Sequence, residues 1–213
     1  MKLAIMVYLT FVYISFLSQA QIINPTRFLP QDNYQNNNES FLLGLPNNDM
    51  IMFWFDSTNN QIKSAKSLDE GNFWSNESIV TTVTPTIHNI DINAVVLNSG
   101  RIILTYRFSV YYYRYSDDNG NTWSAPTTLP TRSSPAQRLR IFLSSLSKMS
   151  NGQIVFTHSF SSSPTVQNAK GIFTIKSTDG INWTTADTID LDGKNGYIIN
   201  SNSSKDILVY QDS

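Results

Sequence analysis

A serine, an aspartate, a glycine and a tryptophan recur together in three short segments of the chain, at residues 67–74, 116–123 and 177–183. The chemistry that these residue types favour at this spacing is turn formation. Serine and aspartate side chains can hydrogen-bond the backbone of their own turn, and glycine supplies the positive φ. The tryptophan then folds back under a hairpin and buries a large ring. The residues concerned are Ser67, Asp69, Gly71 and Trp74; Ser116, Asp118, Gly120 and Trp123; Ser177, Asp179, Gly180 and Trp183.

The two histidines, His88 and His158, stand alone in the sequence. Neither has an aspartate, glutamate or cysteine at ligand spacing, so the sequence predicts no metal site. The chain contains no phosphate-binding loop and no nucleophile elbow, and we therefore expect no cofactor.

Four of the five residues at 111–115 are tyrosines, and Arg107 lies shortly before this segment. Side chains alternate between the two faces of a strand, so two or three of the tyrosines should pack while the others face solvent. The alternative is an aromatic platform for a sugar. Arg107 ends the preceding strand and is a candidate to face a central channel.

The elements that must position these residues repeat as well. Two apolar runs flank a polar turn at 41–53, 94–104 and 146–156. The turn residues are Asn48, Gly100 and Gly152, each 52 positions after the one before. Asparagine tolerates the left-handed conformation that glycine otherwise supplies. Short strands at a long fixed period are typical of propeller blades.

The pattern S-x-D-x-G-x-x-W on such a meander resembles the Asp-box (BNR) repeat of sialidase-like β-propellers, in the neuraminidase superfamily. The resemblance covers residues 40–213. It implies an all-β fold, a β-propeller of four-stranded antiparallel blades, with six blades in a complete member. In this family the boxes lie at the blade periphery, so the resemblance makes their residues structural.

The last residues repeat the two-strand opening of a blade, at 197–200 and 203–210. We therefore expect about three and a half blades in this chain. An open array would expose the edges of its terminal blades, which natural proteins avoid. A truncated chain is the simplest explanation of this count, and self-association through the open edge is the alternative.

The resemblance also implies a catalytic constellation: an arginine triad, a tyrosine activated by a glutamate, and an aspartate. Arg27, in Thr-Arg-Phe-Leu-Pro, is the candidate for the first arginine, although one residue too many separates it from Pro30. Asp56 is the candidate for the aspartate. The alternatives are an arginine in an irregular lead-in and an ordinary turn-forming aspartate. The other members lie in later blades of the family.

Residues 1–20 are typical of a signal peptide, with Lys2 before an apolar stretch and Ser18-Gln19-Ala20 before the expected cut. A membrane anchor is the alternative, but the stretch is short for a span. Residues 21–39 form an irregular lead-in. The chain has no cysteine, so no disulfide holds the exported form.

A formal net charge of −1 with 15% charged residues favours neither nucleic acid nor an anionic membrane as a partner. We expect a protein that is secreted, periplasmic or on the cell surface and that recognises or processes glycans or glycoproteins. As given, it should be inactive as an enzyme. The alternatives are the N-terminal part of an active exo-sialidase or glycoside hydrolase, and a protein-binding propeller.

Overall fold

The computed structural model describes residues 40–83, 90–108, 110–131, 144–159, 172–190, 194–199 and 207–211. The leader, the lead-in with Arg27, and His88 lie outside these ranges. Within them, no helix is long and apolar enough to cross a membrane.

Fourteen strands make up the described part of the chain, arranged in four antiparallel sheets in which sequential strands are neighbours. The first sheet contains β1 (Ser40–Gly44), β2 (Met50–Asp56), β3 (Gln61–Ser67) and β4 (Ser78–Thr82). The second contains β5 (Ile92–Val96), β6 (Ile102–Arg107), β7 (Tyr111–Ser116) and β8 (Thr127–Thr128). The third contains β9 (Ser145–Lys148), β10 (Ile154–Ser159), β11 (Ile172–Ser177) and β12 (Asp187–Asp190), and a two-stranded sheet pairs β13 (Lys194–Ile199) with β14 (Ile207–Gln211).

The second sheet is apolar on both faces because a neighbouring sheet covers each of them. Ile102 and Ile103 are adjacent on β6 and point to opposite faces, yet both are fully buried. Ile102 belongs to a core that the second sheet shares with the first, whereas Ile103 belongs to a core shared with the third. The sheets therefore stack face to face, as blades do.

Each of the two cores draws on both sheets that it joins. The first includes Leu43, Ile51, Phe53 and Ile62 on one side, with Ile92, Leu104 and Tyr106 on the other. The second includes Val95, Tyr111 and Tyr113 on one side, with Leu146, Phe156 and Ile175 on the other.

Strand direction alternates within each blade, and this places the connections on two opposite edges. The β1–β2 and β3–β4 turns and their repeats share one edge, which we name the Asp-box edge. The end of β2, the starts of β3, β5 and β9, and the equivalent strand ends share the other, which we name the opposite edge. Side chains near the start of β5 and β9 and near the end of β6 and β10 therefore meet at the opposite edge.

The expected fold is confirmed: the described part is all-β, with three four-stranded blades and a further two-stranded sheet. One detail differs, since Trp74, Trp123 and Trp183 are partly rather than largely buried. They lie in the β3–β4, β7–β8 and β11–β12 connections, at the ends of the strands.

Candidate functional site

The second box, at residues 116–123, shows how the repeated motif forms its turn. Ser116 ends β7, and its Oγ accepts the backbone N–H of Gly120 at 2.7 Å and donates to Asp118 Oδ1 at 2.8 Å. The Asp118 carboxylate also accepts the backbone N–H of Thr122 at 2.9 Å. Gly120 has a φ of 75°, a conformation that favours glycine.

The same bonds recur in the other two boxes. Ser67 Oγ accepts the N–H of Gly71 at 2.7 Å and donates to Asp69 at 2.8 Å. The third box is one residue shorter, and Ser177 accepts the N–H of Gly180 at 2.9 Å. Its Asp179 accepts a hydrogen bond from Ser177 at 3.0 Å.

The box carboxylates are stabilised in the charged form. Hydrogen bonds from Thr122 and Ser116 hold the pKa of Asp118 far below its usual value, and bonds from Phe73 and Ser67 lower the pKa of Asp69. At Asp179, burial raises the pKa, but hydrogen bonds from the turn lower it by more. A carboxylate with so low a pKa is unsuited to donate a proton, and this geometry supports the structural interpretation.

The second and third boxes each pack against the blade that precedes them. The Trp123 ring meets Phe53 of the first blade edge-on, with the ring centroids 5.7 Å apart. Trp183 meets Tyr113 of the second blade at 5.8 Å. The hydroxyl of Tyr113 also donates to the carbonyl of Ile181 in the third box at 3.1 Å.

The glycines of the second and third boxes lie directly on an isoleucine of the preceding blade. A Cβ added to Gly120 would come within 3.0 Å of Ile51 Cδ1. A Cβ added to Gly180 would come within 2.1 Å of Ile103 Cδ1 and 2.7 Å of its Cγ1. The glycines are therefore required by packing between blades as well as by the turn.

Asp56, the catalytic candidate, lies at the opposite edge as the last residue of β2 and is fully buried. Its Oδ1 accepts the backbone N–H groups of Thr58 at 3.0 Å and Asn59 at 3.1 Å, as in a turn-forming aspartate. Its Oδ2 forms an ion pair with Lys63 Nζ at 2.8 Å. Burial raises the pKa of Asp56, but the bonds from Lys63 and Asn59 lower it by more. The geometry favours the turn-forming role, and a catalytic role stays a prediction.

A second carboxylate at the opposite edge, Asp91, has a pKa that is shifted upward, whereas that of Asp56 is shifted downward. Asp91 directly precedes β5, and its Oδ2 accepts the backbone N–H of Ser144 at 2.9 Å and also the Ser144 hydroxyl. Its Oδ1 accepts the Asn93 side-chain amide at 3.1 Å. Burial raises the pKa of Asp91 despite these bonds, so the protonated form persists to higher pH than in a free aspartate.

Two further side chains complete what we name the Asp91 cluster: Asp91, Asn93, Arg107, Tyr111 and Ser144. Arg107 ends β6, is largely buried, and donates its backbone N–H to the Asp91 carbonyl at 3.1 Å. The positive charge of Arg107 opposes the rise in the Asp91 pKa. Tyr111 is almost fully buried, and burial followed by the nearby Asp91 charge raises its pKa.

His158 lies beside this cluster in an aromatic environment. Its ring is 2% exposed and lies 5.7–5.8 Å, centroid to centroid, from Tyr111, Phe156 and Phe173. Neither ring nitrogen has a hydrogen-bond partner in the part of the chain that the structure describes. Burial lowers the pKa of His158 to about 4, so the imidazole is neutral at physiological pH.

This buried histidine should make the protein acid-sensitive. In the unfolded chain a histidine has a pKa of about 6.5, so between pH 6.5 and the folded value of about 4 only the unfolded state binds the proton. Stability should therefore fall as the pH drops through this window, by up to about 3 kcal/mol.

The measurement is urea unfolding at pH 7 and pH 4.5 for wild type and His158→Phe. Because its pKa is raised, Asp91 makes a contribution of opposite sign to the pH dependence of stability. This contribution is the same in both proteins, so it cancels when their losses are compared. An equal loss in both would contradict the prediction.

The sequence prediction missed Asp91 and Ser144, although a signal for their contact was present. They are 53 positions apart, and the repeat period is 52, so both occupy the approach to the first strand of a blade. Adjacent blades bring such equivalent positions together. Among the described residues, no group of three histidine, cysteine, aspartate or glutamate side chains is placed to hold a metal ion.

Comparison with solved structures identifies the fold. The chain is similar to the NanB sialidase from Streptococcus pneumoniae, with a TM-score of 0.57 and 19% identity over 80% of this chain and 28% of that one. It is similar to the Hadza microbial sialidase Hz136, with a TM-score of 0.53 and 15% identity over 75% and 39% of the two chains. It is also similar to the α-L-arabinofuranosidase Arb93A from Fusarium graminearum, with a TM-score of 0.52 and 12% identity over 79% and 54%.

The match therefore spans about half or less of the length of these proteins. No protein-family model matches the sequence, and a comparison with curated proteins gave no match. At this level of identity the likeness establishes the fold alone. The chain has the fold of a sialidase-like β-propeller.

Proposed function

We propose that this chain is part of an exported propeller that binds glycans, and that the Asp91 cluster belongs to its sugar-binding face. The observation that carries the proposal is a carboxyl group of raised pKa that is surrounded by hydroxyl, amide and guanidinium groups at one edge of the blades.

The residue types in the cluster suit sugar hydroxyl groups, each of which both donates and accepts hydrogen bonds. Asp91 accepts when it is charged and also donates when it is protonated. The Ser144 hydroxyl and the Asn93 amide hydrogen-bond each other at 3.0 Å. Both are only partly buried, so a ligand can exchange bonds with them.

The fold supports the same class of ligand. The similar structures are two sialidases and an arabinofuranosidase, all of which act on sugars. Because fold alone does not fix function, this argument only adds to the cluster geometry. An export signal is expected at residues 1–20, and an exported chain would meet extracellular glycans.

Catalysis by the chain alone is not part of the proposal. A sialidase clamps the substrate carboxylate with three arginines, and Arg107 is the one arginine of the described residues in the cluster. The second candidate function is hydrolysis by a longer protein in which Asp91 is the general acid. The raised pKa of Asp91 favours this role.

Calorimetric titration with 3′-sialyllactose, lactose and arabinobiose tests the proposal. We expect wild type to bind at least one of them, and Asp91→Ala to weaken that binding at least tenfold, about 1.4 kcal/mol. Thr178→Ala, an exposed change at the Asp-box edge, should leave it unchanged. Unchanged affinity in Asp91→Ala would contradict the assignment of the face. We also expect no turnover of a fluorogenic sialoside, and turnover above a heat-killed control would favour the hydrolase.

A further inference from the structure

A groove of about 510 Å³ opens at the Asp-box edge between the first and second boxes. It is lined by the start of β2, the end of β3, the first box, and Asn119 and Asn121 of the second box. Ligand-binding pockets typically measure ~300–1,000 Å³, so the groove has room for one or two sugar rings. It lies at the far edge of the blades from the Asp91 cluster.

The corresponding space between the second and third boxes is occupied by protein. Arg101 follows the turn residue Gly100, just as Asp49 follows Asn48 in the first blade. Its guanidinium lies 4.5 Å from the Tyr115 ring centroid and donates to the carbonyl of Asp179 at 3.0 Å. It also binds both oxygens of Asp117, at 2.7 and 2.9 Å.

Shorter or differently charged residues leave the first groove open. In the first blade, Asp49 occupies the position that Arg101 has in the second. Lys66 likewise occupies the position of Tyr115, directly before the box serine. Lys66 Nζ donates to Asn121 Oδ1 across the groove. The repeat therefore fills one groove with side chains and leaves the other as a cavity.

The first box carries two apolar side chains that face solvent beside this cavity. Leu68 is 76% exposed and Phe73 is 71% exposed, and both line the groove. The residues at these two positions in the other boxes are polar and exposed: Asp117 and Thr122 in the second, Thr178 and Asn182 in the third.

Blade packing therefore does not require apolar side chains at these positions, nor does a preceding blade cover them in the second and third boxes. Exposed apolar groups that depart from the repeat point to a binding surface. The aromatic face of Phe73 and the methyl groups of Leu68 suit the C–H face of a sugar ring, and the amides of Asn119 and Asn121 suit its hydroxyls.

Charge narrows the ligand class. The lining has two carboxylates, Asp49 and Asp69, and one ammonium group, Lys66. The carboxylates outnumber the ammonium group, so an anionic ligand would meet a groove of net negative charge. A neutral sugar meets no such repulsion.

We propose that this groove is a second carbohydrate site that takes a neutral sugar ring, with the ring packed on Leu68 and Phe73. The site is independent of the Asp91 cluster because the two lie at opposite edges of the blades.

The test is saturation-transfer NMR and titration of the 213-residue chain with galactose, N-acetylglucosamine, lactose and 3′-sialyllactose. The test variant, L68D/F73T, copies the residues of the second box into the first. Both positions are exposed, so the variant should keep the wild-type melting temperature. Thr178→Ala in the third box is the matched control, and Asp91→Asn at the opposite edge distinguishes the two sites.

We expect at least one neutral sugar to bind wild type and Thr178→Ala with equal affinity, and at least tenfold more weakly to L68D/F73T. Unchanged affinity in L68D/F73T would overturn the proposal, and so would the absence of any neutral-sugar signal in wild type. A wild type that self-associates, becomes monomeric in L68D/F73T and binds no sugar would assign the groove to a second copy of the chain instead. Binding lost only in Asp91→Asn would support the Asp91 site and refute this one.

Discussion

Gly180→Ala should destabilise the protein by about 4 kcal/mol, although it adds a single methyl group. The new Cβ would lie 2.1 Å from Ile103 Cδ1 of the preceding blade. Ile103 is fully buried in the core shared by the second and third blades, and protein interiors are close-packed. The positive φ of 73° adds its own strain for any residue with a Cβ. Urea unfolding followed by tryptophan fluorescence gives the free energy.

Two variants separate the backbone strain from the clash. Gly100 has a φ of 88° and open space around its Cβ position, so Gly100→Ala should cost only about 1 kcal/mol. In an Ile103→Ala background the clash is removed, and Gly180→Ala should then cost no more than Gly100→Ala. An equal cost of Gly180→Ala and Gly100→Ala in the wild-type background would show that box docking between blades does not occur as described.

Trp123→Ala should cost about 3–5 kcal/mol, the range for removal of a large packed aromatic side chain. Trp123 packs against the core shared by the first two blades and meets the fully buried Phe53 edge-on, with ring centroids 5.7 Å apart. Its loss would leave a cavity at the contact between blades. The measurement is the midpoint and slope of urea unfolding.

Phe73→Ala is the matched control, because Phe73 is also an aromatic residue of a box but is 71% exposed. Its removal should change the free energy of unfolding by less than about 0.5 kcal/mol. If Phe73→Ala and Trp123→Ala destabilised the protein equally, the boxes would not be docked on the preceding blade through their tryptophans.

The blades could be predicted from the sequence because their determinants are local. The apolar runs on either side of Gly100 become β5 and β6, and the serines at 67, 116 and 177 each end a strand. Such turns are set by side chains that bond backbone groups at most four residues away. Local rules therefore suffice for the boxes and for the order of strands.

The Asp91 cluster could not be predicted in the same way, because contacts between blades assemble it. Asp91 and Ser144 are distant in the chain, and no local motif marks either of them. For Asp56, the family resemblance predicts a catalytic role. In the structure, its carboxylate is engaged by an ion pair with Lys63 and by hydrogen bonds from the local backbone.

The packing of Gly180 on Ile103 was also outside the reach of local rules. A positive φ is sufficient to explain a glycine in a turn, so the sequence pattern indicates no second constraint. Only the stacking of one blade on the next shows that the side chain must be absent there.

The most direct test of a sugar-binding face at the Asp91 cluster is the amide NMR spectrum of the chain during titration with 3′-sialyllactose and arabinobiose. The Ser144 backbone N–H and the Asn93 side-chain amide both donate to Asp91, so a bound sugar must change their environment. We predict saturable shifts of these two signals, with the Gly180 amide in the third box unchanged. Saturation of sugar binding without a shift at Ser144 or Asn93 would contradict the account.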